Sequence, residues 1–281
     1  MHRFFIDDEN PPIDNANLPH TLTPLTNNTN PPQTLTTQQE ITLTKENAAH
    51  AAVLRLNIGE GIIICDSAGT DYHCIITKIS QKEVKASITK IIPNQTEPII
   101  KISLYQALPK AGKMDDIIKN AVQLGIYEIN PILTKRCIPK PSQKDFKRVD
   151  RWQKISLSAA KQSHRGIVPK VNPIIELKDA LDNITANGIT ANGIATDTPH
   201  FVCYEAESDG RIALKQHLKA LPKSITRLAF FIGPEGGFSD DEVAAFKKGG
   251  MAMVSLGSRI LQTQLAGSIA LASILYELGE G

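Results

Sequence analysis

A chain of 281 residues with 41% hydrophobic side chains is long enough for two domains and a sizeable core. Its net charge of +2, from 31 basic and 29 acidic residues, does not by itself point to nucleic acid. No apolar run reaches membrane-spanning length, and the start, with Asp7, Asp8 and Glu9, lacks a leader-like apolar region, so a cytoplasmic protein is expected.

Asn10 to Gln39 is rich in Asn, Thr and Pro and has neither helical nor strand periodicity. With few large apolar groups to order it, the stretch reads as a mobile insertion. Residues 41–103 alternate β-rich runs with turns. Ala48–Leu54 reads as a short helix, and Gly61–Cys65, Tyr72–Ile76 and Val84–Ile88 as strands, with Asp66–Gly69 the turn between the first two. Together they imply a small β-barrel domain over residues 1–99.

From Ile100 to the end at 281 strands and helices alternate. Ile102–Ala107 and Glu128–Leu133 read as strands around a helix, Met114–Leu124, that stops at Gly125. Arg148–Ser163 reads as a second helix; Phe201–Tyr204, Leu228–Ile232 and Met253–Leu256 are further strands, and Ala266–Leu278 is the terminal helix. Such alternation implies an α/β domain whose parallel sheet is covered on both faces. Asn183–His200 contains Ile-Thr-Ala-Asn-Gly twice and reads as a loop.

Two segments near the C-terminus carry the chemistry. Phe230 to Phe238 contains Gly233, Gly236 and Gly237, and Ser255 to Thr263 contains Gly257. Each is an apolar run that stops at glycine and leads into a helical pattern, and such loops at strand ends are where α/β folds bind ligands. Ser239 with Glu242 has the form of a capping box, and Asp240 and Asp241 in the first turn would repel a phosphate there. Gly59-Glu60-Gly61 lacks the third glycine of a dinucleotide fingerprint, and Gly112-Lys113 has Ala107 where a P-loop needs its first glycine. These mismatches speak against classical dinucleotide and NTP sites, whereas a ligand such as a nucleoside with a sulfonium centre, held mainly by backbone groups, remains open.

Cys65, Cys74, Cys137 and Cys203 form no CxxC pair, and the seven histidines form no HxxxH pair on a predicted helix. No metal is expected, and the thiols read as buried and reduced. From Lys135 to Lys170 eleven basic residues face two acidic ones, a net +9. Such a window suits phosphate contact, and it also suits a solvated helix face.

The combination of IGPEGGFS, LGSRIL and a long alanine-rich terminal helix resembles the RsmE family of ribosomal RNA methyltransferases, of the SPOUT class. The likeness extends to His2-Arg3-Phe4-Phe5-Ile6, Val53-Leu54-Arg55-Leu56 with Gly59-Glu60, Lys113-Met114-Asp115, Ala121 to Ile126, Arg151-Trp152, Ala159 to Ser163, and Arg165 with Val168-Pro169. It implies an N-terminal PUA-like β-barrel and a C-terminal SPOUT α/β domain with a trefoil knot, assembled as a homodimer. It further implies methylation of N3 of a uridine in 16S rRNA of the small ribosomal subunit, with S-adenosyl-L-methionine as methyl donor. The family's second loop usually reads LGPRILRTETA. Here Ser258 replaces proline, Gln262 arginine, Gln264 glutamate and Leu265 threonine, and Gln123 stands where the family usually has glutamate. One charge of each sign is thereby lost from the loop, either in mutual compensation or with weaker substrate contacts.

The resemblance assigns the cofactor to Tyr204, Glu205, Gly233, Pro234, Glu235, Gly236, Leu256, Gly257, Ile260 and Leu261, with Ala206 in the same loop as Tyr204. Glu235 could instead organise its own loop. Arg259 is the expected catalytic residue: a fixed guanidinium stabilises the negative charge left on the uracil ring when N3 loses its proton, and it cannot be the base. His2, His50, His164 and Glu205 are candidate bases. Arg3, Arg55, Lys113, Arg136, Arg151, Gln162 and Arg165 are expected to hold RNA, with Gln162 and Arg165 on one helix face. Trp152 reads better as a packing residue than as a base-stacking platform. A non-catalytic RNA-binding relative and an enzyme acting on a small molecule are the competing readings.

Overall fold

The computed structural model describes residues 1–6, 39–67, 69–110, 112–138, 145–187, 198–205 and 212–280. Most of the Asn/Thr/Pro-rich stretch, the second Ile-Thr-Ala-Asn-Gly copy, Lys140, Lys144 and Ala206 lie outside them. The chain divides into two compact units, Met1–Glu97 and Pro98–Gly281.

The first unit holds β1 (His2–Phe5), β2 (Glu40–Thr44), α1 (Lys45–Val53), β3 (Gly61–Cys65), β4 (Thr70–Ile79) and β5 (Glu83–Pro93). The strands form one sheet in the order β1-β3-β4-β5-β2, antiparallel except for the β1–β3 pair. Side chains alternate across a strand, so Ile41 and Leu43, Ile62 and Ile64, and Val84 and Ala86 all point into one core, which Phe4, Ala48 and Ala51 complete. Two register shifts in the β4–β5 ladder, at His73/Cys74 and Ile76/Lys78, add the twist that curls the sheet. Among the described residues β1 and β2 remain its two edges, so the expected barrel is open along one seam.

The second unit contains β6 (Lys101–Ala107), α2 (Lys113–Leu124), β7 (Glu128–Leu133), α3 (Asp145–Gln162), β8 (Lys170–Val171), β9 (Ile175–Glu176), α4 (Leu177–Asn187), β10 (His200–Cys203), β11 (Ile212–Ala213), α5 (Leu214–Ala220), β12 (Arg227–Ile232), α6 (Asp240–Lys248), β13 (Ala252–Ser255) and α7 (Thr263–Glu277). The described strands form a wholly parallel sheet in the order β11-β13-β10-β12-β6-β7-β8, with β9 beside β7. β7, β10 and β12 are buried almost throughout, as strands covered on both faces must be. Phe231, Val202 and Ile132 pack against Leu177 and Ala180 of α4 and Val243 and Phe246 of α6. Leu104 and Ile232 point the other way, toward Gly267 on α7.

Two expectations change. The segment after Asn183 is not all loop, because α4 runs to Asn187. Leu177, Ala180, Leu181 and Ile184 repeat at helical spacing and pack on the core, which carries the helix into the first Ile-Thr-Ala-Asn-Gly copy. The second helix ends at Gln162, and His164 takes a left-handed backbone with φ 58°. Arg165 therefore does not share a helix face with Gln162.

Strand order builds the site. β13, the last strand, lies beyond β10, and the chain then returns to place α7 over β12 and β6. The crossing segment, residues 256–262, is part of the C-terminal stretch that the resemblance associates with a knot. Because β13, β10 and β12 are adjacent and parallel, the loops that follow them emerge side by side at one sheet edge.

Candidate active site

Those three loops enclose a cavity of about 630 Å³, within the range of small-ligand sites. Its wall includes Tyr204, Glu205, Gly233, Pro234, Glu235, Leu256, Gly257, Ile260 and Leu261, together with Arg259. Gly236 is absent from it. A Cβ at Gly236 would meet Arg136 Cβ at 3.3 Å, and its carbonyl accepts a hydrogen bond from Arg136 Nη1 at 3.0 Å, so this glycine faces the 134–136 turn instead. The wall also contains Lys113, Ser255, Ser258, Gln262, Thr263 and Ala266. Apart from Lys113, these belong to the second glycine motif or, with Ala266, to the first turn of α7, and sequence reasoning did not assign them to the cofactor.

Short-range bonds shape each loop. Gly237 has φ +66°, and a Cβ there would lie 2.6 Å from Glu205 Oε1, so glycine is needed both for the turn and for the close approach of the Glu205 carboxylate. Phe238 is buried and stacks edge-on against Phe246, which seats the loop on the core. The capping box is present: Glu242 N–H donates to Ser239 Oγ at 3.4 Å, and Ser239 N–H donates to Glu242 Oε2 at 2.7 Å. Glu242 Oε1 accepts a further bond from the Lys135 amide at 2.7 Å, and Lys135 pairs with Asp241. In the second loop Ser255 Oγ accepts from the Gly257 amide at 3.2 Å and donates to its carbonyl at 3.1 Å. Gln264 Nε2 donates to Gln262 Oε1 at 2.9 Å, so the two positions that lose opposite charges relative to the family pattern are bonded to each other as neutral amides.

Glu235 joins two loops. Its carboxylate accepts from the Lys110 amide at 3.1 Å and from Lys113 Nζ at 3.1 Å. Burial pushes its pKa up, but hydrogen bonds from its own amide, from Lys113 and from Lys110 outweigh burial and hold the carboxyl below its ordinary value. It is thus an ionised group that organises the cavity rim. Of His2, His50, His164 and Glu205, the cavity wall contains Glu205.

The cations expected to meet RNA have diverse settings. Arg3, in the first unit, is buried and forms a bidentate pair with Asp71 at 2.6 and 2.7 Å. Arg165 is 2% exposed, and its Nη1 donates to the carbonyls of Val122 and Ile126 at the end of α2. These two guanidiniums hold structure rather than a surface ligand. Arg151 makes a bidentate pair with Asp115, which also accepts from the Trp152 indole, and Trp152 is buried as a packing residue. Arg55 is exposed on a left-handed backbone, and Gln162 is exposed at the end of α3. Among the described residues no cluster could hold a metal ion, and no helix is long and apolar enough to cross a membrane.

A parallel α/β unit with a glycine-loop cavity beyond the carboxyl ends of its strands has the arrangement of a ligand-binding α/β enzyme domain. Residues 95–275 match the RNA methyltransferase domain family and residues 43–89 the RNA methyltransferase PUA domain. The chain belongs to this family of RNA methyltransferases. It is 31% identical over 239 residues to the ribosomal RNA small subunit methyltransferase E of Bacillus subtilis (strain 168), covering 84% of this chain and 89% of that protein. It is 29% identical over 222 residues to the protein of that name from Synechocystis, covering 79% and 68%. A crystal structure of a ribosomal RNA small subunit methyltransferase E from Neisseria gonorrhoeae bound to S-adenosyl methionine superposes with a TM-score of 0.76 at 26% identity, covering 98% of this chain and 97% of that one.

Proposed function

We propose that the protein methylates N3 of one uridine in 16S rRNA of the small ribosomal subunit, using S-adenosylmethionine. The cavity walled by both glycine loops carries this reading, and relatives named as ribosomal RNA small subunit methyltransferases, one of them bound to S-adenosyl methionine, support it. The residues fit the ligand: Leu256, Ile260 and Leu261 offer apolar contact for a purine, and the main chain at Gly233 and Leu256 to Leu261 offers donors and acceptors for its edge. When bound, S-adenosylmethionine supplies an electrophilic methyl group on a sulfonium centre.

N3 of the uridine gives up its proton and would form the new bond to the methyl carbon as that carbon's bond to the sulfonium sulfur breaks, the electron pair leaving with a neutral thioether. Arg259, exposed at the cavity wall, stabilises the charge that develops on N3 and its flanking carbonyl oxygens. Glu205 is the carboxylate in the wall that accepts the proton. The target base is reached when unstacked; Lys113, Arg136, Arg151 and Gln162 of the second unit, and separately Arg55 of the first, contact the RNA.

The protein acts as a homodimer. One face of α7 is buried, while Leu265, Ile269, Ala272 and Tyr276 form an exposed stripe along the other. A helix apolar on both faces is matched to burial on both, and a second copy provides it. A protein that acts on ribosomal RNA is expected in the cytoplasm.

Calorimetric titration with S-adenosylmethionine tests the reading. Saturable binding of one molecule per chain is expected, and absence of binding by well-folded protein would overturn it.

A further inference from the structure

Gln106, near the end of β6, is 0% exposed and does not line the cavity. Its Nε2 donates to the Ala107 carbonyl at 3.0 Å and to Thr263 Oγ1 at 3.0 Å. Thr263 is the first residue of α7 and is buried, and its hydroxyl donates to the Gly233 carbonyl at 2.6 Å. A hydroxyl has one proton. Because that proton goes to Gly233, Thr263 meets Gln106 only as an acceptor, and the Gln106 amide must turn its nitrogen toward the threonine. Reversing the amide would set its oxygen against the Ala107 carbonyl. The remaining atom, Oε1, is buried and has no hydrogen-bond partner among the described residues. It points at Gly267, where a Cβ would lie 3.6 Å from it.

A buried acceptor without a donor destabilises a fold. If residue 106 served packing alone, an apolar side chain would do better. The polar side chain links three elements instead: β6, the loop after β12, and the start of α7. At Gly233 the link acts on the only polar group its peptide with Pro234 has, since proline carries no N–H.

We propose that Gln106 is a positioning residue for the cofactor loops. Through Thr263 it fixes the Gly233 carbonyl and the first turn of α7, and so sets the spacing between the two glycine loops. The inference rests on the reading of the cavity as the S-adenosylmethionine site. It extends that reading to a side chain outside the cavity wall.

The test is calorimetric titration with S-adenosylmethionine, paired with thermal unfolding, on wild type, Gln106→Leu, Thr263→Val, the double variant and Thr263→Ser. Gln106→Leu and Thr263→Val should each raise Kd about tenfold, the scale of one hydrogen bond. The double variant should bind no worse than the weaker single, because the relay acts as a unit. Thr263→Ser should bind like wild type. The Tm of Gln106→Leu should stay level or rise, since the orphan oxygen is gone. Should that variant fail to fold, Gln106→Met carries the same test. Wild type without binding would overturn the cofactor reading itself. Binding by wild type and Gln106→Leu alike would overturn the relay. So would a loss of affinity that only tracks a falling folded fraction.

Discussion

The second glycine loop and the described cations of the basic segment 135–170 belong to one unit and are held by opposite means. The second loop is shaped by bonds that close within a few residues, Ser255 with Gly257 and Gln262 with Gln264, whereas the first is also tied to distant partners at Gly233, Glu235 and Gly236. The cations of the basic segment find partners far along the chain: Arg136 at the Gly236 carbonyl, Arg151 at Asp115, and Arg165 at the Val122 and Ile126 carbonyls. Arg3 does the same in the first unit, at Asp71. A local bond leaves most of the loop's main chain for a ligand. A distant partner converts a surface cation into a brace, and a charge count cannot tell one from the other.

That contrast is sharpest at Arg3, whose side chain is 4% exposed. Burial pushes the Asp71 carboxyl up, but Arg3 and Asn94 outweigh it and hold the carboxyl below its ordinary value. The folded pKa therefore lies below the unfolded one. The pair's contribution is complete above the ordinary carboxylate range near pH ~4 and fades as pH falls through the depressed value. Arg3→Leu strands a buried carboxylate and should cost about 3–5 kcal/mol in urea unfolding at neutral pH. The cost should shrink in acid, where the stranded carboxyl is neutralised. An acid-independent loss would mean that the arginine contributes packing and not charge.

Arg165→Leu takes the guanidinium donor from the Ile126 carbonyl and from the Val122 carbonyl, which keeps the Gly125 amide, and should cost about 2–3 kcal/mol by the same measurement. A loss below about 0.5 kcal/mol would return this residue to the surface class.

Gly257 sets the local case apart from charge. Its φ is +119°, and nothing lies within 4 Å of a Cβ built on it, so Gly257→Ala isolates backbone strain. A stability loss of about 1–3 kcal/mol is expected, with weaker S-adenosylmethionine binding by calorimetry. An unchanged affinity would show that the second loop's conformation does not matter to the ligand.

Arg151→Ala gives the smallest effect. Its side chain is 57% exposed, so loss of the pair with Asp115 should cost about 0.2–1 kcal/mol. If the segment also meets phosphates, the salt slope of RNA binding should fall by about one unit. A large stability loss with unchanged RNA affinity would place Arg151 with Arg165 among the braces.

The pattern of legibility follows the same divide. Strand edges, the capping box and the C-cap at Gly125 depend on neighbours in sequence, and they stand where periodicity and turn residues put them. The reach of α4 to Asn187 was masked by the low-complexity repeat, although Leu177, Ala180, Leu181 and Ile184 carried the helical period. At the cavity, the residues expected to meet the cofactor line the wall except for Gly236, whose side of the turn depends on Arg136, 100 residues away. Lys113 of α2 and Gln106 of β6 reach the elements around the cavity with no local signal to announce it. The second-loop substitutions were open to two readings in sequence. The bond between Gln262 and Gln264 favours mutual compensation.

The most direct test of the central claim is methyl transfer from labelled S-adenosylmethionine to small ribosomal subunits, with the modified nucleotide identified by mass spectrometry. The account predicts one methyl group at N3 of one uridine in 16S rRNA, with turnover lost in Arg259→Ala while S-adenosylmethionine binding persists. Bound S-adenosylmethionine without transfer to 16S rRNA, or transfer at full rate by Arg259→Ala, would contradict it.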